Sequence, residues 1–239
     1  MSVFIDKLNK ITHAESTPIG FRRNQATTSE RKIQLVSLTS KSEGDNSGED
    51  TVLLDIRDKG IEPESLSGLP DDIPWGAWLK DSRQKELKQL KDAGCDFIVF
   101  PAESTALEII EEPDLGKILE LDTAIGDPVL RSVADLPVDA VLVSVGEGKK
   151  NSLTWHDLMI LQRFGGFPEK PLLARIPAKV SSGELEALWE TGVMAVVVES
   201  NIDKLRKTID KADFTKTRKR EKNEPVIRQA NDNDIEDEY

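Results

Sequence analysis

Eight short apolar runs recur along this chain: IQLVSLT (33–39), TVLLDI (51–56), IPWGAWL (73–79), CDFIVFPA (95–102), KILELD (117–122), DAVLVSV (139–145), PLLARIP (171–177) and VMAVVVES (193–200). Most are near-continuous in Val, Ile, Leu and Ala rather than alternating, so each expects to be buried on both faces. That is the condition of a strand in a parallel sheet covered by helices, and it is not met by a half-exposed antiparallel strand. Between most runs lie segments with helix signals. Ser82 to Ala93 carries Leu87 and Leu90 among charges and stops at Gly94. Asp127-Pro128 places a capping side chain before a proline that suits the first helical turn. Thr154 with Asp157, Ser181 with Glu184, and Ser200 with Asp203 match the capping-box spacing, as does Thr105 with Glu108. Gly192 closes ELEALWET, and a last helix is expected from about Asn201 to Ala212.

Eight strand–helix units favour an α/β fold closed into a parallel (β/α)₈ barrel, with an open doubly wound sheet as the alternative. The chain resembles the TIM-barrel superfamily in its cadence of helix, small residue and glycine, apolar strand and polar loop, carried by AGCDFIVFPAE and again by TGVMAVVVES. The resemblance spans Ile33 to about Phe214 and implies a closed barrel with its active site at the carboxyl ends of the strands. It departs from that pattern early. SKSEGDNSGED (40–50) has no apolar residue and IEPESLSGLP offers at most one turn, so the first two βα units are degenerate and leave a flank bare. The N-terminal helix, a homologous partner or nothing at all would cover it.

The organisation expected is therefore an N-terminal helix and arm (1–32), the barrel (33–214), and a charged tail (215–239) whose sparse apolar content predicts disorder. In the arm STPIGFRRN (16–24), Phe21 is suited to an apolar hollow and Arg22 and Arg23 to an anion.

Lys+Arg of 32 against Asp+Glu of 44 gives a formal net charge of −12, the wrong sign for a nucleic-acid backbone or an anionic membrane surface. The single cysteine, Cys95, rules out an internal disulfide. No segment approaches the roughly 18 apolar residues of a membrane span. A cytoplasmic protein is the expectation, with room for a homo-oligomer or protein partner through the bare flank or the tail.

In a parallel barrel the polar residues at strand ends are the candidates for chemistry. Charges still inside or directly at the end of an apolar run are the informative ones, because they must find partners near the sheet: Asp55, Lys80, Asp122 and Arg175. Lys80 is the candidate proton donor or Schiff-base amine, and Asp55, Glu103 or Asp122 the general base. Arg57 and Arg175 would clamp a carboxylate or phosphate, and Ser144 and Glu199 stand at neighbouring strand ends. The same charges pairing across the mouth as structural ion pairs is the plain alternative. No cofactor is indicated. Mg²⁺ held by Asp55, Glu103 and Asp122 lacks a spacing signature, and neither His13 nor His156 falls at a strand end, which speaks against a histidine-based zinc site. Trp75 and Trp78, three apart, face opposite sides of their strand. The expected functions are a barrel enzyme, a lyase of aldolase or decarboxylase type acting on a small anionic metabolite, or a non-catalytic binding or assembly module.

Overall fold

The computed structural model describes residues 2–14, 33–40, 48–58, 60, 61, 66, 68, 69, 72–81, 84–146, 152–166 and 170–214. The eight apolar runs become β1 (Gln34–Thr39), β2 (Thr51–Asp55), β3 (Trp75–Trp78), β4 (Phe97–Pro101), β5 (Gly116–Leu121), β6 (Ala140–Ser144), β7 (Leu172–Arg175) and β8 (Val193–Val198). Each pairs in parallel with the next, and β8 pairs in parallel with β1, so the sheet is a closed barrel. The open doubly wound alternative is excluded by that last pairing.

The helices among the described residues are α1 (Val3–Ala14), α2 (Gln84–Asp92), α3 (Asp127–Ser132), α4 (Trp155–Gly166), α5 (Ser182–Glu190) and α6 (Ile202–Ile209). Their inward stripes are apolar: Leu87 and Leu90 on α2, Leu161 and Phe164 on α4, Leu185 and Leu188 on α5, Leu205 and Ile209 on α6, all buried. Gly94 and Gly192 end α2 and α5 at φ +82° and +95°, where a side chain would be strained.

Of the expected caps, two form and three do not. Ser181 and Glu184 make a complete capping box, and Thr154 accepts from the Asp157 amide while the Asp157 carboxylate accepts from the Thr154 amide. Asp127 lies in the first turn of α3 behind Gly126 rather than at the cap. The start of α6 is Asn201 in the left-handed region, φ 61°, so the Ser200–Asp203 box is not built; asparagine tolerates that conformation. Leu107–Glu111 is a 3₁₀ turn with no side-chain cap. Pro113 follows too closely for an α-helix, since it disfavours helical backbone at the residue before it.

The N-terminal helix does not cover the flank of β1 and β2. It closes the bottom of the barrel, at the strand starts. Phe4 packs on Phe97, the first residue of β4, with ring centroids 4.7 Å apart. Asp96 anchors the helix start, its carboxylate accepting from Ser2 Oγ (2.7 Å), Val3 N (2.7 Å) and Phe4 N (2.9 Å). The room it fills was left by small residues: a Cβ on Gly116 would stand 2.7 Å from Ile5 and 2.9 Å from Phe97, and one on Gly76 only 2.4 Å from the Phe97 ring. On the degenerate side, α6 lies against β1, and Arg206 bonds Asp50 (2.9 Å), whose carboxylate also accepts from Leu35 N (2.8 Å). One arginine thus ties the β1–β2 connection to the last helix. The tail, the arm and most of the two degenerate connections lie outside the described residues.

Candidate active site

Strand register decides which side chains share the lumen. Asp55 stands beside Trp78, Trp78 beside Val99, and Val99 beside Ile118, two residues before Glu120. Ser144 stands beside Arg175, and Arg175 beside Val197. Side chains alternate along a strand, so all of these fall on one face. Two contacts identify that face as the interior. The Trp78 indole N–H donates to Glu120 Oε2 at 2.9 Å, skipping β4, and the Arg175 guanidinium lies over the Trp78 ring at 5.7 Å although β7 is half-way round the barrel from β3. Trp78 is the inward tryptophan, fully buried, while Trp75 is buried on the outer face.

Trp78 therefore forms a floor at the carboxyl-terminal mouth, with charges laid over it. Arg57, just after β2, stacks on the same ring at 4.0 Å. It also grips Asp55 with two side-chain bonds, Nε to Oδ1 at 2.9 Å and Nη2 to Oδ2 at 2.6 Å, and its backbone N–H adds a third at 3.2 Å. Burial alone would raise the Asp55 carboxyl, but these hydrogen bonds and the positive charge of Arg57 and Arg175 outweigh it and hold the group below its ordinary value. Arg57 is raised in turn, chiefly by the hydrogen bond to Asp55. Arg175 pairs with Glu199 just past β8.

Beside this floor is a hollow of about 660 Å³ whose lining includes Glu103, Glu120, Asp122, Thr123 and Ser144. The Ser144 hydroxyl oxygen is buried and has no hydrogen-bond partner among the described residues, although it faces this space. The β5–α3 loop that forms one wall is held from α4: Arg163 donates to the carbonyls of Thr123 (3.2 Å) and Ile125 and to Asp127 Oδ1 (2.6 Å). Asp122 is exposed and accepts from Ala124 N at 2.7 Å, which fixes the turn out of β5. Glu103 is exposed on the opposite wall.

A second hollow, about 380 Å³, opens between the loops after β2 and β3 and is lined by Arg57, Asp58, Lys80, Asp81 and Glu86 among others. Lys80 is exposed at its edge, with Ser104 Oγ donating to its carbonyl at 2.6 Å. The sequence candidates thus divide. Asp55, Arg57, Arg175 and Glu199 gather over Trp78; Asp122, Glu103 and Ser144 line the larger hollow; Lys80 lines the smaller. Glu120 joins the first two groups and escaped the sequence reading, although it is an acid inside the apolar strand KILEL. Among the described residues no three His, Cys, Asp or Glu side chains are grouped as metal ligands, so Asp55, Glu103 and Asp122 do not assemble a Mg²⁺ site. Nor is any described helix long and apolar enough to cross a membrane.

No protein-family model and no curated protein matches the chain. Solved structures do. Phosphoribosyl anthranilate isomerase from Thermus thermophilus aligns with 75% of this chain and 99% of its own, TM-score 0.57 at 12% identity. Mycobacterium tuberculosis tryptophan synthase aligns with 88% of this chain and 92% of its own, TM-score 0.56 at 11% identity. Dihydropteroate synthase from Thermus thermophilus aligns over 75% and 93%, TM-score 0.50 at 15% identity. The chain is a TIM barrel. At these identities the likeness concerns the fold alone, and it agrees with the closure of β8 on β1. In a TIM barrel the carboxyl-terminal mouth is where ligands meet the chain, which is where Trp78, Glu120, Ser144 and Arg175 converge.

Proposed function

We propose that this TIM barrel is an enzyme that binds a small anionic metabolite at its carboxyl-terminal mouth and cleaves a carbon–carbon bond, a lyase of aldolase or decarboxylase type. The observation that carries the reading is the meeting of an acid, an unpartnered hydroxyl and a displaceable cation on one face: Glu120, Ser144 and Arg175. Glu199 is 60% exposed, and an ion pair so open to water is worth about 1 kcal/mol or less. A substrate carboxylate or phosphate can take its place on Arg175 at small cost. Arg57 is less available, because its partner Asp55 is two residues away and gripped through both oxygens.

In the retro-aldol direction, Glu120 takes the proton of a β-hydroxyl, whose carbon becomes the carbonyl of the released fragment as the carbon–carbon bond breaks. The bond's electron pair moves into the substrate's other carbonyl to give an enolate, and the proton on Glu120 then passes to the enolate carbon. The Ser144 O–H and the Arg175 guanidinium are the donors for the oxyanion that forms. Lys80, Glu103 and Asp122 stand at the rim, where they would meet the ligand on entry.

One observation favours the second reading, a non-catalytic binding or assembly barrel. Trp78 is fully buried across the lumen with its N–H already engaged, as a stopper would be. The two are separated by thermal-shift screening of the full chain against carboxylated and phosphorylated metabolites, followed by product assays on the hits. The enzyme reading expects a hit whose shift is lost in Arg175→Met, and turnover that is lost in Glu120→Gln while binding remains. No hit, or a hit indifferent to Arg175→Met, overturns it.

A further inference from the structure

We propose that the outer face of α4 pairs with the same face of a second copy of this chain, giving a two-fold dimer. The residues of α4 that are exposed include Trp155, Met159, Gln162 and Gly166. Their spacing is four, three and four, which on a helix makes one straight stripe. It lies opposite the stripe of Asp157, Leu161 and Phe164 that is buried against the barrel. The stripe is open to water to an unusual degree: Trp155 is 83% exposed and Met159 69%.

Charge argues for a copy of the same chain as the occupant. With a net charge of −12 two copies repel overall, and an uncharged contact opposes association least because it brings no like charges together within the screening length. The outer faces of α2 and α6 do not qualify. On α2 they present Lys88, Lys91 and Asp92, and on α6 Asp203, Lys204 and Lys207. The α4 stripe holds no formally charged residue, and the neighbouring Arg163 is already committed to Asp127. Meeting across it desolvates no ion.

Shape argues in the same direction. In an antiparallel pair about a two-fold axis, each residue of the stripe meets its mirror position. Trp155 then falls opposite Gly166 of the other copy, and Met159 opposite Gln162. The largest side chain meets the one with none, so the helices can approach closely at both ends. A 12-residue helix is about 18 Å long and buries less than a standard interface, so a dissociation constant on the order of 10–100 µM is expected.

Sedimentation velocity of the full chain over micromolar to near-millimolar concentration tests this, with tryptophan emission recorded in parallel. Trp75, Trp78 and Trp189 are all buried, so a concentration-dependent blue shift reports on Trp155. The expected result is a monomer–dimer equilibrium weakened about tenfold or more by Met159→Glu or Trp155→Glu. Lys207→Glu on α6 should leave it unchanged. An equimolar mixture of Met159→Glu and Met159→Lys chains should recover association that neither has alone. The positions are exposed, and an unchanged melting temperature confirms that the variants fold. A chain that stays monomeric throughout, or a dimer that withstands both α4 substitutions, overturns the proposal.

Discussion

Trp78 and Glu120 are joined across β4 by a 2.9 Å hydrogen bond, indole N–H to carboxylate, at the level where the barrel opens. The bond fixes both side chains. It keeps the indole flat enough for Arg57 and Arg175 to lie over it, and it orients the carboxylate toward the hollow that Ser144 also lines. Replacing Trp78 with Phe keeps a six-membered aromatic ring but removes the donor and the rest of the indole. Since Glu120 is only partly buried, water can satisfy its oxygen, and the loss expected is about 1 kcal/mol for the hydrogen bond and about 1 kcal/mol for the smaller ring. Trp78→Ala also empties the floor and should cost about 3–5 kcal/mol. Urea unfolding of both variants checks the ordering, and equal losses would contradict a floor built mainly by packing.

Asp55 makes the stability of the barrel respond to acid with a definite sign. Its folded-state pKa lies below the ordinary 3.8, because hydrogen bonds from Arg57 and the neighbouring positive charges outweigh the opposing effect of burial. A lowered carboxyl contributes stability that is fully present above its unfolded pKa and is lost as pH falls through the folded value. Asp55→Asn should therefore lower the unfolding midpoint at pH 7, and the gap to the parent chain should narrow as pH falls below 3.8 and close once the folded-state carboxyl is protonated. A gap that persists or widens in acid would mean that the pair is not ionised as described.

The legible part of this protein is whatever depends on neighbours in sequence. Near-continuous apolar runs sufficed for strands, and the capping box of Ser181 with Glu184 and the end glycines sufficed for helix limits. The Asp55–Arg57 pair is a contact between residues two apart, yet the sequence suggested separate roles for them, a base and a substrate clamp, because spacing alone does not tell an internal pair from two free charges. Thr105 with Glu108 was over-read, because the proline that follows at 113 outweighs a favourable spacing. The site was harder, since its members come from β3, β5, β6 and β7 and meet only once the register of the closed barrel is fixed. Alternation within KILELD still carried a usable signal. Glu120, half-buried within the strand, reaches the lumen, whereas Asp122 has left it and turns the chain.

The fit of Gly76 against Phe97 predicts a sharp penalty for one methyl group. A Cβ at position 76 would lie 2.4 Å from the Phe97 ring, which is itself fully buried and packed on Phe4. The ring has no free space to retreat into. Gly76→Ala should cost about 1–3 kcal/mol by overpacking, and Gly76→Ala combined with Phe97→Leu should recover part of it. The two single variants and the double variant, compared by denaturant midpoints, form the necessary cycle, and additive losses would count against direct contact.

Arg163 should govern the wall of the larger hollow without touching its interior. Its guanidinium holds the carbonyls of Thr123 and Ile125 and the carboxylate of Asp127, so three points of the β5–α3 loop depend on one side chain. Arg163→Met keeps the stem and loses every one of these bonds. Amide hydrogen exchange over residues 122–127 should then accelerate, while β5 itself stays protected. Unchanged exchange in the loop would mean that it is held by its own turn at Asp122 and not from α4.

Asp96 is the counterpart at the other end of the barrel. Three donors from the first residues of α1 end on its carboxylate, and Phe4 and Ile5 follow into the gap above Gly116. Without the carboxylate the helix loses its anchor and the favourable charge at its positive end, about 1–2 kcal/mol together. The apolar contacts of Phe4, Leu8 and Ile11, all buried, remain and should hold the helix in place most of the time. Asp96→Ala is therefore expected to raise the rate of limited proteolysis within residues 3–14 several-fold while the barrel strands keep their protection, and Phe4→Ala added to it should release the helix altogether. If Asp96→Ala alone unfolds the whole chain cooperatively, α1 is part of the core rather than a plug set into it.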